Sequence, residues 1–552
     1  MNDSSSRPAA QAGAQDRYDY IIVGAGSAGC VLANRLTENG RHKVLLLEAG
    51  PSDRRFWVQV PIGYGKTFYN PDVNWMYQSE PIPGLNNRTN YVPRGKILGG
   101  SSSINAMVYS RGQPGDYADW EAMGNQGWGW QEVLRTYRKL EDHALGAGPF
   151  HGAGGPLHVD EISNAVHPLS HLYVKAGQEA GLKYTPDLNS ETIEGVGLYQ
   201  ITTKNGYRWS SSRAYLWPAR SRPNLRVMTG AFATRILFEG KRAVGIAYRR
   251  NGQDATAHAN REVILSGGSI NSPQLLQLSG IGPADLLKRV GIAVHHESAA
   301  VGRHLQDHVC YDYIYKASRP SLNNDLYPWW GKLRVGLQYI LTRKGPLSLS
   351  VNQGGGYFRS RPGLDRPNIQ LYFSPLTYEK TPPGVKKLMG PDPFPGFIIS
   401  VSPCRPTSRG HLEIKSSDPT QAPAIQLNLM STNHDMQELV EGVRFMAKLA
   451  AAPSLTSVIA ERLHPGPGGT TDDEIAADIR ARAYSVFHPC GTCRMGPDPK
   501  EAVVDPRLRV HGLSGLRIVD SSIFPTVTSG NINAPTIMVG ERGAEFVLAD
   551  AR

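Results

Sequence analysis

Residues 19–50 read DYIIVGAGSAGCVLANRLTENGRHKVLLLEAG, and this stretch decides the fold. Tyr20 to Val23 are a short apolar strand, Gly24, Gly26 and Gly29 form a G-x-G-x-x-G turn, and Ser27 to Leu36 carry a helical apolar pattern that stops near Gly40. Lys43 to Leu47 then give a second buried strand ending on Glu48. In such a βαβ unit the first glycine permits a tight turn, the second lets backbone approach a pyrophosphate, and the third lets helix and strand pack closely. The helix N-terminus offers free N–H groups and partial positive charge to the phosphates. Glu48 is placed to accept hydrogen bonds from ribose hydroxyls; an acid there disfavours a 2′-phosphate, so FAD or NAD fits and NADP does not.

Working outward, 552 residues exceed one simple core, so two joined domains are expected. With 40% apolar and 19% charged residues the chain is of the folded, soluble type. Its net charge of +11 favours anionic partners, but the basic residues are scattered and no Lys/Arg run has nucleic-acid length, so nucleic acid is not expected. Weak attraction to anionic lipid stays open. Cys30, Cys310, Cys404, Cys490 and Cys493 are too few and dispersed for a disulfide framework. No second pair completes a zinc site with Cys490-x-x-Cys493, so both read as structural thiols and no metal is expected. Residues 1–17 read as a disordered tail without a signal peptide, and no run of 18 apolar residues exists. A cytoplasmic location, peripheral at most to the inner face of a membrane, is expected.

Residues 51–90 read as an irregular, aromatic-rich covering loop. The segment from Pro93 to Met107 holds a Gly99-Gly100 pair that lets backbone lie against a flat ligand, with Ser101 and Asn105 offering hydrogen bonds. Residues 151–156 read as a domain crossing. Leu225–Met228, Thr234–Phe238 and Ala243–Tyr248 read as strands of a meander, followed by a buried strand Glu262–Ser266. Ser272 and Pro273 read as N-cap and first residue of a helix ending at Leu278. Between about 310 and 483, amphipathic segments (Trp329–Thr342, Asp435–Ala451) alternate with strands such as Asn368–Phe373 and Phe397–Ser402. The Pro328-Trp329-Trp330 start, with Lys332 and Arg334, suits a membrane surface, but burial of that amphipathic helix is the preferred reading. Leu516–Val519 returns as a strand closed by Asp520, and Pro535 opens a last helix to Leu548.

Together these segments resemble the glucose–methanol–choline family of FAD-dependent oxidoreductases, most closely its bacterial alcohol- and choline-dehydrogenase-type members. The resemblance runs from about Tyr18 to Leu548 and rests on Gly24–Glu48, Gly95–Asn105, Gly268–Gly282 and the tail from His488-Pro489-Cys490-Gly491-Thr492 to Asn531. Val301-Gly302-Arg303-His304-Leu305-Gln306-Asp307-His308 and Lys204–Ser211 add to it. It implies a mixed α/β and α+β architecture: a Rossmann-like FAD domain assembled from 18–157, 204–309 and 484–552, and a substrate domain from 158–203 and 310–483 on an antiparallel sheet flanked by helices. It places ADP on Gly24, Gly26, Gly29 and Glu48, with Ser27, Ala28 and Ala49 beside them and the backbone of Ala233 at adenine. Flavin contacts fall on Arg94, Gly99, Gly100, Ser101, Asn105 and Met107, and on Asp520, Asn531 and Asn533.

Oxidising an alcohol requires a base for the hydroxyl proton while hydride leaves the same carbon. His is the side chain that titrates near neutrality, and His488 with the family-like flanks is the candidate. The second family position is Asn531, whose amide cannot exchange protons at pH 7, so it is expected to donate a hydrogen bond to the developing alkoxide. The helix opening at Pro535 is oriented to stabilise negative charge on a reduced flavin. Covalently flavinylated relatives carry a His where this chain has Ile104, so non-covalent FAD is expected. Choline-using relatives carry an acid just after the Asp-His that corresponds to Asp307-His308; here Val309 and Cys310 follow, with Asp312 as a possible substitute. An uncharged primary alcohol is therefore preferred, with Phe487 and Cys310 in its pocket and a quinone or other electron acceptor. An O2-using oxidase, a choline dehydrogenase and a non-redox FAD lyase are the alternatives.

Overall fold

The computed structural model describes residues 17–378, 390–466 and 471–551. The expected tail therefore lies outside the described residues except Arg17, which opens the first strand.

The opening βαβ unit forms as read: strand Arg17–Val23, helix Ser27–Thr37, strand Val44–Glu48. Both strands are parallel, in register Tyr20 to Val44 and Val23 to Leu47. Their continuous apolar runs suit a sheet covered on both faces. Leu225–Thr229 extends this sheet beyond Val44–Glu48, and Gln253–Leu265 lies on the other side of the first strand. The expected meander needs correction at its first member, which is a parallel strand; the antiparallel run is Ala231–Glu239, Arg242–Arg250 and Gln253–Leu265. The last of these is much longer than the expected Glu262–Ser266, because its first half pairs in the hairpin and its second half in the parallel sheet, where Leu516–Ile518 also joins.

The helix read as starting at Ser272 begins instead at Gly268 and carries Pro273 inside. Ser272 is no cap: its hydroxyl donates to Asp520 Oδ2 at 2.6 Å and accepts from Gly267 N at 3.0 Å. The C-terminal helix, Asn533–Asp550, crosses the first helix so closely that a Cβ on Gly540 would sit 3.0 Å from Ala28 Cα. Residues 51–90 hold short helical turns, Phe56–Gln59, Pro61–Gly63 and Tyr64–Thr67 among them.

A second, antiparallel sheet runs in the order Ile459–His464, Val309–Ala317, Gly396–Pro403, Ile369–Ser374, Gly354–Phe358, Gly195–Leu198. Tyr484–Ser485 also pairs with Val309–Cys310. Side chains alternate faces along a strand. Tyr311, Tyr313 and Tyr315 thus enter the core that includes helix Asn433–Ala450, while Cys310, Asp312 and Ile314 face a cavity. The same split sends Leu371, Phe373, Ile399 and Val401 to the core and Tyr372, Ser374, Ile398 and Ser400 to the cavity.

One expectation fails outright. Helix Trp329–Thr342 forms, but its main apolar face is not buried: only Gly331, Val335 and Tyr339 are, and Trp329, Trp330, Leu333, Leu337, Ile340 and Leu341 are exposed. A helical apolar period says which residues share a face and nothing about what covers them.

Candidate active site

A cavity of about 1680 Å³ runs from the carboxyl ends of the parallel strands, at Val23, Glu48 and Leu265, to the inner face of the antiparallel sheet. In open α/β sheets ligands bind at that edge. At this end Gly24 has φ +101°, and a Cβ there would lie 2.4 Å from the Ser266 carbonyl oxygen. A Cβ on Gly29 would lie 1.9 Å from Gly24 O, so Gly29 seals helix against turn and does not line the cavity. Gly26 differs: a Cβ would have only Ser266 O within 4 Å, at 3.7 Å, and would project into open space. The helix starting at Ser27 has no side-chain cap, so its first N–H groups are available. Ser27 Oγ donates to Asn533 Oδ1 at 2.8 Å, which brings the starts of two helices to one place. Glu48 accepts from Ala25 N at 2.9 Å and Gly50 N at 2.8 Å, and burial pushes its carboxyl up to about 7. A carboxylate has further lone pairs for ribose hydroxyls. Open backbone at Gly26, uncapped helix starts and a fixed acid fit a dinucleotide.

In the middle of the cavity Gly100 lies against Gly26; a Cβ on it would be 2.7 Å from Gly26 Cα. Gly99 holds the turn through its N–H to Ala25 O (2.7 Å) and is not itself a lining residue. Ala28, Ala49, Ser101, Met107, Ala233 and Asn533 all line the cavity. Asn105 also lines it, with its carbonyl oxygen held by Arg208 Nη1 at 2.8 Å and Met107 N at 3.1 Å. Asp520 accepts from Gly268 N and Ser272 Oγ, both in helix Gly268–Leu278, and from Ser522 N in its own turn, tying that turn to the helix at the cavity wall. Arg208 escaped the sequence reading as a site-forming residue. It is buried and also bonds the carbonyls of Val58, Ser102 and Pro61, which fixes the loop carrying Asn105.

Under the antiparallel sheet the structure brings His488 and Asn531 together: Asn531 Nδ2 is 3.1 Å from His488 Nε2. Gln370 Nε2 lies 3.4 Å from Asn531 Oδ1, which turns the amide nitrogen toward the ring. On its far side His488 Nδ1 is 3.0 Å from His308 Nδ1, and His308 Nε2 is 2.9 Å from Cys404 O. A carbonyl oxygen only accepts, so His308 carries its proton on Nε2 and presents Nδ1 as an acceptor. His488 then carries its proton on Nδ1, and its Nε2 lone pair faces the cavity. Burial first, then the charges of His308 and Arg94, hold the His488 ring well below its ordinary pKa of 6.5. His308 is lowered to about 4, burial pulling it down and its bond to Cys404 O offsetting only part of that pull.

Asp307 clamps the loop that carries His488, accepting from His488 N at 2.7 Å and Ser485 Oγ at 2.5 Å. Arg94 lines the cavity and also donates to Phe487 O at 2.5 Å, while Phe487 sits at φ +68°, a backbone state bulky residues rarely adopt. The Phe487 ring packs edge-on against Phe68 at 5.6 Å, and Tyr69 stacks on Tyr91 at 4.8 Å, giving the cavity aromatic walls. Cys310 lines it as well. Asp307 and His308 stood in a motif visible in the sequence, yet the motif gave them no role. Cys490 and Cys493 are buried thiols. Among the described residues no cluster of His, Cys, Asp or Glu is arranged to hold a metal ion.

Nε2 of His488 and Nδ2 of Asn531 offer one acceptor and one donor at one point. A hydroxyl placed there can give its proton to the ring while its oxygen takes the amide hydrogen bond.

Comparison with known proteins gives the same answer from an independent side. The N-terminal model of the GMC oxidoreductases matches residues 18–310 and the C-terminal model matches 406–540. The chain is 44% identical over 535 residues to the alcohol dehydrogenase [acceptor] of Pseudomonas putida, covering 96% of each chain. It is 41% identical to the oxygen-dependent choline dehydrogenase of Vibrio vulnificus (strain YJ016), covering 97% of this chain and 95% of that one. Among solved structures, pyridoxine 4-oxidase from Mesorbium loti superposes with a TM-score of 0.86 at 30% identity, over 96% of this chain and 98% of the other. This protein therefore belongs to the GMC oxidoreductase family, as an FAD-dependent enzyme that oxidises alcohols.

Proposed function

We propose that the enzyme converts an uncharged primary alcohol to its aldehyde, with His488 as the base, and passes the electrons to a quinone or another acceptor. The observation that carries this reading is the convergence of His488 Nε2 and Asn531 Nδ2, 3.1 Å apart, on the cavity. The hydroxyl enters between them, displacing their mutual contact. His488 Nε2 takes its proton, and the imidazolium that forms is held through its two N–H groups, one on the alkoxide and one on His308 Nδ1. Asn531 Nδ2 donates to the oxygen as negative charge grows there. When bound, FAD supplies the acceptor for the hydride leaving the carbinol carbon. Residues 18–157, 204–309 and 484–552 serve the cofactor and 158–203 with 310–483 the substrate. This division is supported by the two sheets meeting at one cavity.

Asp312 favours a second reading, a cationic alcohol such as choline. It faces the cavity with its carboxylate held by the Tyr484 hydroxyl at 2.8 and 2.9 Å. The two readings part in an anaerobic screen of short, long and aromatic primary alcohols alongside choline, followed by admission of air. Bleaching of the flavin by neutral alcohols supports the first, bleaching by choline alone supports the second, and rapid recovery of colour in air identifies an oxidase. If no alcohol bleaches it, a lyase-type reaction replaces both.

We further read the chain as a cytoplasmic protein working at the inner face of a membrane. No helix among the described residues is long and apolar enough to cross one. The exposed face of Trp329–Thr342 supports a peripheral contact instead.

A further inference from the structure

Plotted at the α-helical 100° per residue, Trp329, Trp330, Leu333, Leu337, Ile340 and Leu341 fall within an arc of roughly 120°. All six are exposed, Trp329 at 76% and Leu341 at 80% of full accessibility. The buried residues Gly331, Val335 and Tyr339 fall on a separate arc, where Val335 joins Leu322, Leu326, Val351 and Leu376. The helix is therefore anchored by one side and bare on the other. Soluble monomers rarely show a continuous apolar face of this kind without a partner.

Its composition says which partner. From Tyr327 to Gly345 the chain contains no Asp or Glu; Arg334 is ion-paired with Asp325 just upstream, and Lys332, Arg343 and Lys344 are the cations beside the apolar face. Two tryptophans open the helix and two cations follow its end. Tryptophan sits well at headgroup depth, and basic residues beside an apolar face are drawn to anionic headgroups. A second copy of the same face would place these cations against one another. The position is also informative: Lys332, Val335, Gly336, Tyr339 and Ile340 line the cavity that holds His488, so the helix is part of the cavity wall. Phe56 and Trp57, lining residues as well, are exposed too.

We propose that helix Trp329–Thr342 lies on the surface of an anionic phospholipid bilayer, seating the cavity mouth where lipid-dissolved alcohols and acceptors concentrate. This rests on the peripheral reading above and narrows it to one helix and one lipid charge.

Full-length, FAD-loaded enzyme is mixed with phosphatidylcholine vesicles, with or without phosphatidylglycerol, and floated. The expected result is binding to the phosphatidylglycerol vesicles, weaker binding to pure phosphatidylcholine, and a loss of roughly tenfold or more in partitioning for the double variant Leu337→Glu, Leu341→Glu. Activity of that variant on a water-soluble alcohol should be unchanged, which shows that it folds. Failure of the wild type to float with either vesicle overturns both the helix assignment and the peripheral reading. Equal flotation of wild type and variant overturns the helix assignment alone. A wild-type dimer in sedimentation that the variant converts to monomer, without vesicle binding, assigns the face to a second copy instead.

Discussion

His308 Nδ1 lies 3.0 Å from His488 Nδ1, while the other nitrogen of His308 is fixed on the carbonyl oxygen of Cys404. One peptide oxygen thus sets the protonation of two imidazoles in series and leaves the lone pair of His488 Nε2 toward the cavity. His308 is a positioning residue in this scheme. His308→Ala should slow anaerobic flavin reduction by at least about 10- to 100-fold with FAD still bound, the range seen when the orienting partner of a metal-ligating His is lost. His308→Gln should restore most of the rate, because its amide can donate to Cys404 O and accept from His488 Nδ1. Equal defects in both variants, measured by stopped-flow, would leave His308 a packing residue only.

The fingerprint from Tyr20 to Glu48 was legible because every element in it is local: strand, turn, helix, strand and acid follow one another. That His488 and Asn531 would come together was legible through the motifs around them. The role of His308 was not, since it depends on Asp307, in the loop just before strand Val309–Ala317, drawing in a loop 181 residues away. Ser272 looked like a cap by every local rule, but an aspartate 248 residues on takes its hydroxyl. The bare face of Trp329–Thr342 carries the same apolar period a buried one would, and only packing separates them.

Because burial keeps His488 neutral below its ordinary 6.5, the base should stay competent in mild acid. kcat/KM for a neutral alcohol should remain flat from pH 8 to about 6.5 and fall only below it. Stability has the same sign. His308 titrates near 6.5 when unfolded and at about 4 when folded, so its contribution is complete above 6.5 and is lost as pH falls toward 4. The loss is on the order of 3 kcal/mol. An acid limb centred at or above 6.5 would show that His488 is not the group controlling the rate.

Gly26 and Gly29 stand three residues apart and should fail in different ways. A Cβ on Gly29 collides with Gly24 O at 1.9 Å, so Gly29→Ala should lower the melting temperature of the apoprotein or prevent folding. A Cβ on Gly26 meets no protein atom closer than 3.7 Å, so Gly26→Ala should fold with the apoprotein's melting temperature and lose flavin. Thermal melts of FAD-stripped protein, paired with FAD titration, check both. Full FAD binding by Gly26→Ala would move the pyrophosphate away from this turn.

Asn531 should act on the alkoxide rather than on substrate binding. Its amide nitrogen lies beside His488 Nε2 and its carbonyl is turned away by Gln370. Removing one such donor typically lowers kcat by about 10²–10³. Asn531→Ala should show that drop in flavin reduction with a KM changed far less. A change confined to KM would assign Asn531 to ground-state binding.

Ile104 gives the last prediction. Covalently flavinylated relatives carry a His at this position, and here an apolar side chain lines the cavity beside Ser101 and Asn105. An isoleucine has no nucleophilic atom to join to the ring. The neighbouring serine and amide are too weakly nucleophilic at neutral pH to replace an imidazole. Acid precipitation of the holoenzyme should therefore leave the yellow colour in the supernatant, with the spectrum of free FAD, and mass spectrometry of the denatured chain should show no added flavin. Colour retained in the pellet would require a different attachment residue in the cavity wall. The search would then begin at His488, the imidazole that lines the cavity.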